Sequence, residues 1–279
     1  MTSRCEMTAD RLRVPLDAAA LRAAVIGSSP MWRQIDVVAE TGSTNADLIA
    51  RAAAGEDIDG VVLIAEHQTA GRGRQGRSWS AVPHAQITLS VGVDPGAVPT
   101  EAWGWLSLAT GVAVVDAVAA VTGVQAGLKW PNDVLAGGGK LAGILAEVAA
   151  PQRYIVVGLG LNVTLRRAEV AAPEATSLLE LGVDRPDRDR LVEELLRELG
   201  ARFGDWRAAA GADTRLAVDY RERSLTLGTP VRAVLPGGEE ITGIAQSVDK
   251  QGRLCIHDDG QRWVVSAGDV MHLRANNST

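Results

Sequence analysis

Lysine is nearly missing from this chain. Of its 279 residues only Lys129, Lys140 and Lys250 are lysines, and arginine supplies the remaining positive charge. Cysteine is as scarce: Cys5 and Cys255 stand far apart and in no metal-ligand spacing, which excludes a disulfide framework and a zinc site and points to a reducing compartment. His67, His84, His257 and His272 are scattered without helical pairing, so all four are read as structural. A positive balance is absent too. The formal net charge of −6 repels phosphate backbones as a whole, and a nucleic-acid role would need a local basic patch. No apolar run is long and unbroken: Asp116 interrupts the longest, Leu106 to Val121, and Arg4, Glu6, Asp10, Arg11 and Arg13 open the chain with no apolar segment between them. Neither a signal peptide nor a membrane span is expected, and the predicted location is cytoplasmic. Repeats, low-complexity tracts and charge blocks are also lacking.

What is present is the composition of an ordered globular protein: abundant aliphatic residues, 22% charged and 4% aromatic. Domains commonly run to about 100 to 200 residues, so one large and one small core are expected. Leu16 to Ile26 reads as a short Ala-rich helix. Ile35 to Thr41 reads as a strand, and Gly42-Ser43-Thr44-Asn45 offers N-cap residues for a helix ending at Gly55. Strands follow at Val61 to Glu66 and Ala85 to Val93, then a long apolar helix from Thr100 to Val121. Ala126 to Trp130, Lys140 to Val148 and Tyr154 to Val163 read as three more strands, the first two joined by a connection from Pro131 to Gly139. This is an α/β or α+β sheet. Asp187 caps a helix that puts Leu191, Leu195, Leu199, Phe203 and Trp206 on one face, with Glu193 and Arg197 predicted to pair on its surface. After Gly228 the texture changes to short strands, Val231 to Leu235, Ile241 to Val248, Leu254 to His257 and Trp263 to Val265, the pattern of a small β-barrel of about 50 residues.

The chemistry-bearing residues fall in a few short blocks. Gly71-Arg-Gly-Arg-Gln-Gly-Arg77 gathers three guanidinium groups among three glycines, with no acidic residue from His67 to Val93 to neutralise them. Such a loop suits phosphate or carboxylate oxygens, although taken alone it reads first as a solvated basic linker or an RNA-binding segment. It matches G-x-G-x-x-G, but a strand follows where a dinucleotide fold needs a helix; Gly139-Lys140 is followed by Leu141 and is no P-loop. Lys129-Trp-Pro-Asn-Asp133 sets a cation, an amide and a carboxylate at a strand end, the composition of a polar turn or of a site. Lys140 opens an apolar strand where the chain otherwise chooses Arg, which suggests a need for a compact cation. Gly158-Leu-Gly-Leu-Asn162 leaves room for a flat ligand beside an amide.

Taken in order, Gly-Ser-Thr-Asn at 42 to 45, Gln68 with the arginine loop, Lys-Trp-Pro-Asn-Asp-Val, Gly-Lys-Leu-Ala-Gly-Ile-Leu and Gly-Leu-Gly-Leu-Asn-Val closely resemble the biotin protein ligases over roughly residues 34 to 273. The resemblance implies an α+β fold, a mixed β-sheet with helices on its face of the class II synthetase-like, biotin–lipoate ligase kind, plus a small C-terminal SH3-like β-barrel. It implies an N-terminal extension at 1–33, a catalytic domain at 34–226, the barrel at 227–274 and a tail at 275–279. It also implies ATP and Mg2+ as co-substrate, biotin as substrate, biotinyl-5'-AMP as intermediate, and a biotin carboxyl carrier domain of a carboxylase as the protein acceptor.

By the same resemblance Ser43, Thr44, Asn45 and Gln68 hold the biotin ureido ring, Arg72 and Arg74 the carboxylate and phosphate, and Lys140 the reacting centre; Gly71, Gly73 and Gly143 are also biotin-binding, Gly143 by close backbone approach, and Lys140 and Arg72 are catalytic. Arg74, Trp79, Lys129, Asn132, Asp133 and Asn162 fall near the nucleotide, with Trp79 stacked on adenine; no residue is assigned to the metal. Some family members carry an N-terminal helix-turn-helix domain. Only about 34 residues precede the first motif strand here, fewer than the roughly 55–65 of a small domain, so no operator, other nucleic acid or membrane is expected as a partner. A lipoate ligase would run the same adenylation, but its dithiolane ring would leave a polar pocket unpaired.

Overall fold

The structure is a computed structural model that describes residues 11–151, 153–266 and 268–273. Seven strands form a mixed sheet in the order β1-β2-β3-β7-β6-β5-β4: β1 (Gln34–Val38), β2 (Val61–Ala65), β3 (Gln86–Val93), β4 (Gly127–Lys129), β5 (Asp133–Ala136), β6 (Gly139–Ala149) and β7 (Tyr154–Asn162). Only β1 and β2 run parallel; every other pair is antiparallel. Period-two alternation divides each strand between two faces. On β7, Ile155, Val157, Leu159 and Leu161 enter the main core, whereas Val156, Gly158, Gly160 and Asn162 face the other way.

The main core is covered by helices α1 (Ala18–Val25), α3 (Trp105–Thr122), α4 (Arg188–Ala208) and α5 (Thr214–Arg223). Helix α3 is apolar all round because it is enclosed, lying against β4, β5 and β6 and against α4 and α5. Thr100–Thr122 is the one segment among the described residues long and apolar enough to cross a membrane, and most of it is buried inside the fold. The single charge of α3, Asp116, joins three helices: it pairs with Arg202 of α4 and, at 2.7 Å, with Arg223 of α5. The opposite face carries α2 (Thr44–Ala53), whose Leu48 and Ala52 seal a smaller cluster with Ile58, Val61, Leu63, Ala149 and Val156.

Residues 16–32 contribute Leu16, Leu21, Val25 and Trp32 to the main core. They are anchored by a buried Arg188–Glu66 ion pair: Glu66 accepts the Leu16 N–H at 2.6 Å, and Arg188 donates to the Val14 carbonyl at 3.0 Å. The C-terminal unit is the expected SH3-like barrel, five antiparallel strands in the order β11-β10-β9-β8-β12: β8 (Pro230–Val234), β9 (Glu240–Val248), β10 (Leu254–Asp258), β11 (Gln261–Val265) and β12 (Asp269–His272). The Trp130 and Trp105 indole N–H groups donate to the Gly252 and Lys250 carbonyls, each at 3.1 Å, and lock the β9–β10 turn onto the larger body.

Four details depart from the sequence reading. The connection from Pro131 to Gly139 contains β5, which pairs with both β4 and β6. Helix α5 and strand β12 were not anticipated: α5 buries only Leu216 and Tyr220, too few to show a period, and β12 is four residues long. Arg197 pairs with Glu194 and Glu198, each at 2.6 Å, and not with Glu193, since those carboxylates flank it one turn back and next along the chain. Ser43 occupies the N-cap position of α2 but makes no side-chain capping bond, and the first N–H of the helix, that of Thr44, donates to Gln68 Oε1 at 2.8 Å.

Candidate functional site

A cleft of about 530 Å3 opens on the α2 side of the sheet, lined at one end by the start of the helix. Its floor follows from the strand alternation. Paired rows run Ser90–Gly158–Leu145 and Thr88–Gly160–Gly143 across β3, β7 and β6, and the second row continues to Asp133 on β5. The glycines leave the floor bare, and neighbouring side chains use the space: a Cβ on Gly158 would collide with Asn45 Oδ1, and one on Gly160 with the Trp79 indole. Trp79 therefore lies across Gly160 and Gly143, with Lys140 Nζ 5.8 Å from its ring centre. Its indole N–H is buried with no hydrogen-bond partner.

At one end of the cleft a polar network is fixed by α2. Thr44 Oγ1 lies 2.6 Å from Ser90 Oγ and 3.1 Å from Gln68 Oε1. Ser90 donates to Asn45 Oδ1 at 2.6 Å, while Asn45 Nδ2 donates to the Leu145 carbonyl at 3.1 Å and to Glu147 at 2.9 Å. The Asn45 amide has an assigned direction, as is needed to tell a hydrogen-bonding ring from an apolar one, while either hydroxyl of the Thr44–Ser90 pair can donate.

At the other end are the cations. Arg72 pairs with Glu147 at 3.0 Å, and Lys140 pairs with Asp133 at 2.7 Å. Arg74 donates to Asn132 Oδ1 at 3.3 Å; burial holds its guanidinium below the ordinary arginine value against the raising influence of Asp269 and Asp133. The arginine loop is a closed turn: Arg72 bridges Ser78, the Gly73 N–H donates to the Arg77 carbonyl at 2.7 Å, and the Trp79 N–H donates to Gly71 at 2.8 Å. Lys140 is pinned through its backbone, its N–H donating to Glu174 at 2.6 Å and its carbonyl accepting from Thr176 at 3.0 Å.

Ser43, Thr44, Asn45, Gln68, Arg72, Gly73, Arg74, Trp79, Lys129, Asn132, Asp133, Lys140, Gly143 and Asn162 all line this cleft. Gly71 is the exception among the residues singled out in the sequence: it is buried behind the loop, against the Trp79 backbone. Asn162 lines the cleft with its amide already committed, donating to the Thr176 and Lys140 carbonyls at 2.9 and 3.3 Å and accepting from Gln86 at 2.8 Å. It braces Lys140 from behind. Sequence reasoning missed Ser90, Glu147 and Asp269. Ser90 carried a signal, because Gln86, Thr88 and Ser90 put a polar residue at every second place in a buried strand. Glu147 stood inside a run read as apolar, and Asp269 lay beyond the last strand read in the barrel.

A cleft lined by arginine and lysine on the α2 face of a mixed sheet, bordered by a small barrel, defines a ligase of the biotin and lipoate class. The Biotin/lipoate A/B protein ligase family pattern matches residues 44–162, and that of the Biotin protein ligase C terminal domain matches residues 226–273. The chain belongs to the biotin protein ligases. It is 63% identical over 95% of its length, and 98% of the relative, to the biotin–[acetyl-CoA-carboxylase] ligase of Mycobacterium tuberculosis. It is 34% identical to the enzyme of that name from Paracoccus denitrificans, over 84% of this chain and 98% of the relative. A solved biotin protein ligase from Aquifex aeolicus, in complex with biotin and ATP, shares the fold with a TM-score of 0.75 at 24% identity, covering 88% of this chain and 100% of that one.

Proposed function

We propose that the protein forms biotinyl-5'-AMP from biotin and ATP and transfers the biotinyl group to a lysine of a biotin carboxyl carrier domain. The observation that carries this reading is the convergence of Arg72, Arg74 and Lys140 on one cleft whose far end is a directed hydrogen-bond network. In the first step the biotin carboxylate oxygen bonds to the α-phosphorus and the bond to pyrophosphate breaks. Bringing a carboxylate to within about 4 Å of a phosphate opposes like charges by roughly 4 kcal/mol at an effective dielectric near 20. The three cations offset that repulsion and stabilise the charge that develops at phosphorus. In the second step the acceptor amine attacks the acyl carbon and AMP leaves.

Magnesium bound with the nucleotide would supply neutralisation of phosphate charge. Asp133 and Glu174, which line the cleft, would be the oxygen donors available to it. Within this reading Ser43, Thr44, Asn45 and Gln68 seat the ring, Arg72, Gly73, Arg74 and Gly143 its carboxylate arm, and Lys129, Asn132, Asp133 and Trp79 the nucleotide. We assign residues 34–226 to catalysis and 227–274 to the barrel, and place the reaction in the cytoplasm.

Pyrophosphate release from ATP is expected with biotin, and neither with lipoate nor without an acid, followed by labelling of an added carrier domain. Release driven by lipoate would shift the substrate, and no release with any acid would sink the reading. Gly160→Val tests the floor. Overpacking commonly costs about 1–3 kcal/mol, so biotin affinity by calorimetry should fall about 10–100-fold. Unchanged affinity would mean that the bound acid does not reach the floor at Gly160.

A further inference from the structure

The barrel reaches the cleft through Asp269, Val270 and Met271 of β12 and Val234 of β8, with Asp269 opposite Val234 in the ladder. Asp269 Oδ2 pairs with Nη2 of Arg77, 192 positions earlier. Arg77 is the third guanidinium of the arginine loop, and the reaction described above gives it no part. Its place in the loop is mechanical. Its carbonyl accepts from Gly73 at 2.7 Å, its N–H donates to Arg74 at 3.1 Å, and its side chain also donates to Gln75 at 3.1 Å. Gln75 holds a left-handed φ of 55°, so the turn from Gly73 to Arg77 is a folded unit, with Arg72 flanking it and Arg74 within it. Whatever fixes Arg77 fixes the cations beside it.

We infer that Asp269 is a positioning residue that latches the arginine loop to the C-terminal barrel, keeping Arg72 and Arg74 over the cleft while the acyl-adenylate waits for its acceptor. The inference rests on the ligase reading and gives the barrel a part in it. The two side chains are 61% and 42% exposed, and an exposed pair adds little to global stability. Its loss is therefore felt in the loop and not in the melting temperature. An open loop admits water to the mixed anhydride, whose acyl–phosphate bond then breaks with water in place of the amine as nucleophile, giving free biotin and AMP.

The test measures how the adenylate partitions between carrier labelling and hydrolysis. Asp269→Asn should raise the hydrolysed fraction about 3–5-fold, the range open to a surface ion pair, with the melting temperature unchanged. Arg77→Gln should do the same, the double variant should add nothing further, and Asp269→Glu should restore the wild-type ratio. Added salt should raise leakage in the wild type and leave Asp269→Asn unmoved. Trypsin cleavage within 72–78, with biotin and ATP present, should be faster in Asp269→Asn. A wild-type partition in Asp269→Asn, or additive effects of the two substitutions, overturns the latch. If the wild type forms no adenylate, the ligase reading fails separately and cleavage decides: equal rates then overturn the latch, and faster cleavage of the variant upholds it.

Discussion

Lys140→Ala is expected to slow biotin-dependent pyrophosphate release about 10²–10³-fold, the usual effect of deleting one preorganised donor to developing charge. The side chain stands beside Asp133 at the edge of the glycine floor, and a Cβ on Gly143 would lie 3.2 Å from Lys140 Cε and 3.4 Å from Nζ. The backbone of residue 140 is held by Glu174 and Thr176, contacts that alanine keeps. The side chain is 26% exposed, so its removal opens no core cavity and the melting temperature should hold. Lys140→Arg should restore little, because a planar fork does not fit where a compact ammonium sits over a bare floor. Single-turnover measurement of adenylate formation, with a melting curve for each variant, separates these outcomes. Normal turnover by Lys140→Ala would remove the residue from the chemistry.

The second large effect is on stability. Arg188→Ala leaves Glu66 buried without its cation, and breaking a buried pair commonly costs about 3–5 kcal/mol. The two side chains are only 3% and 5% exposed, which puts this pair in that range and not in the range of surface pairs. For a protein of this size the melting temperature should drop on the order of 10 °C, while Arg188→Met paired with Glu66→Gln should lose much less. The same cluster sets a pH dependence. Burial pushes the Glu66 carboxyl up, but the Leu16 N–H, Arg188 and His84 outweigh it and hold the group below its ordinary value near 4.5. The folded pKa lies below the unfolded one, so this stabilisation is complete above about 4.5 and is lost as pH falls through the folded value. Urea midpoints from pH 7 down to 3 should show a steeper decline in the wild type than in the double variant; parallel curves would remove Glu66 as the cause.

Much of the site could be read from the chain because its residues sit in short blocks whose chemistry is local. A guanidinium loop, a lone lysine opening a strand and a Gly-x-Gly-x-Asn strand end each declare themselves, and their order selected the family. What could not be read depends on contacts across the fold. Glu147 matters because β6 brings it to Arg72 and Asn45, and Asp269 because a strand from the barrel meets a loop 192 positions away. Asp116 looked like a flaw in an apolar helix, and two distant arginines give it its purpose. At α2 the sequence places the N-cap at Ser43 correctly, but not the contact from Gln68, which reaches in from a neighbouring segment to accept the first helical N–H.

The glycine floor limits how this pocket can change. A surface made of backbone has no side chain left to trim, so every substitution at Gly143, Gly158 or Gly160 adds volume and none creates any. Single replacements there can only exclude ligands. A bulkier acid can be admitted only by altering the rim, where Trp79, the arginine loop and β12 supply the removable atoms. Selection or design for new acyl substrates should therefore accumulate its changes in those segments and leave the three floor positions untouched.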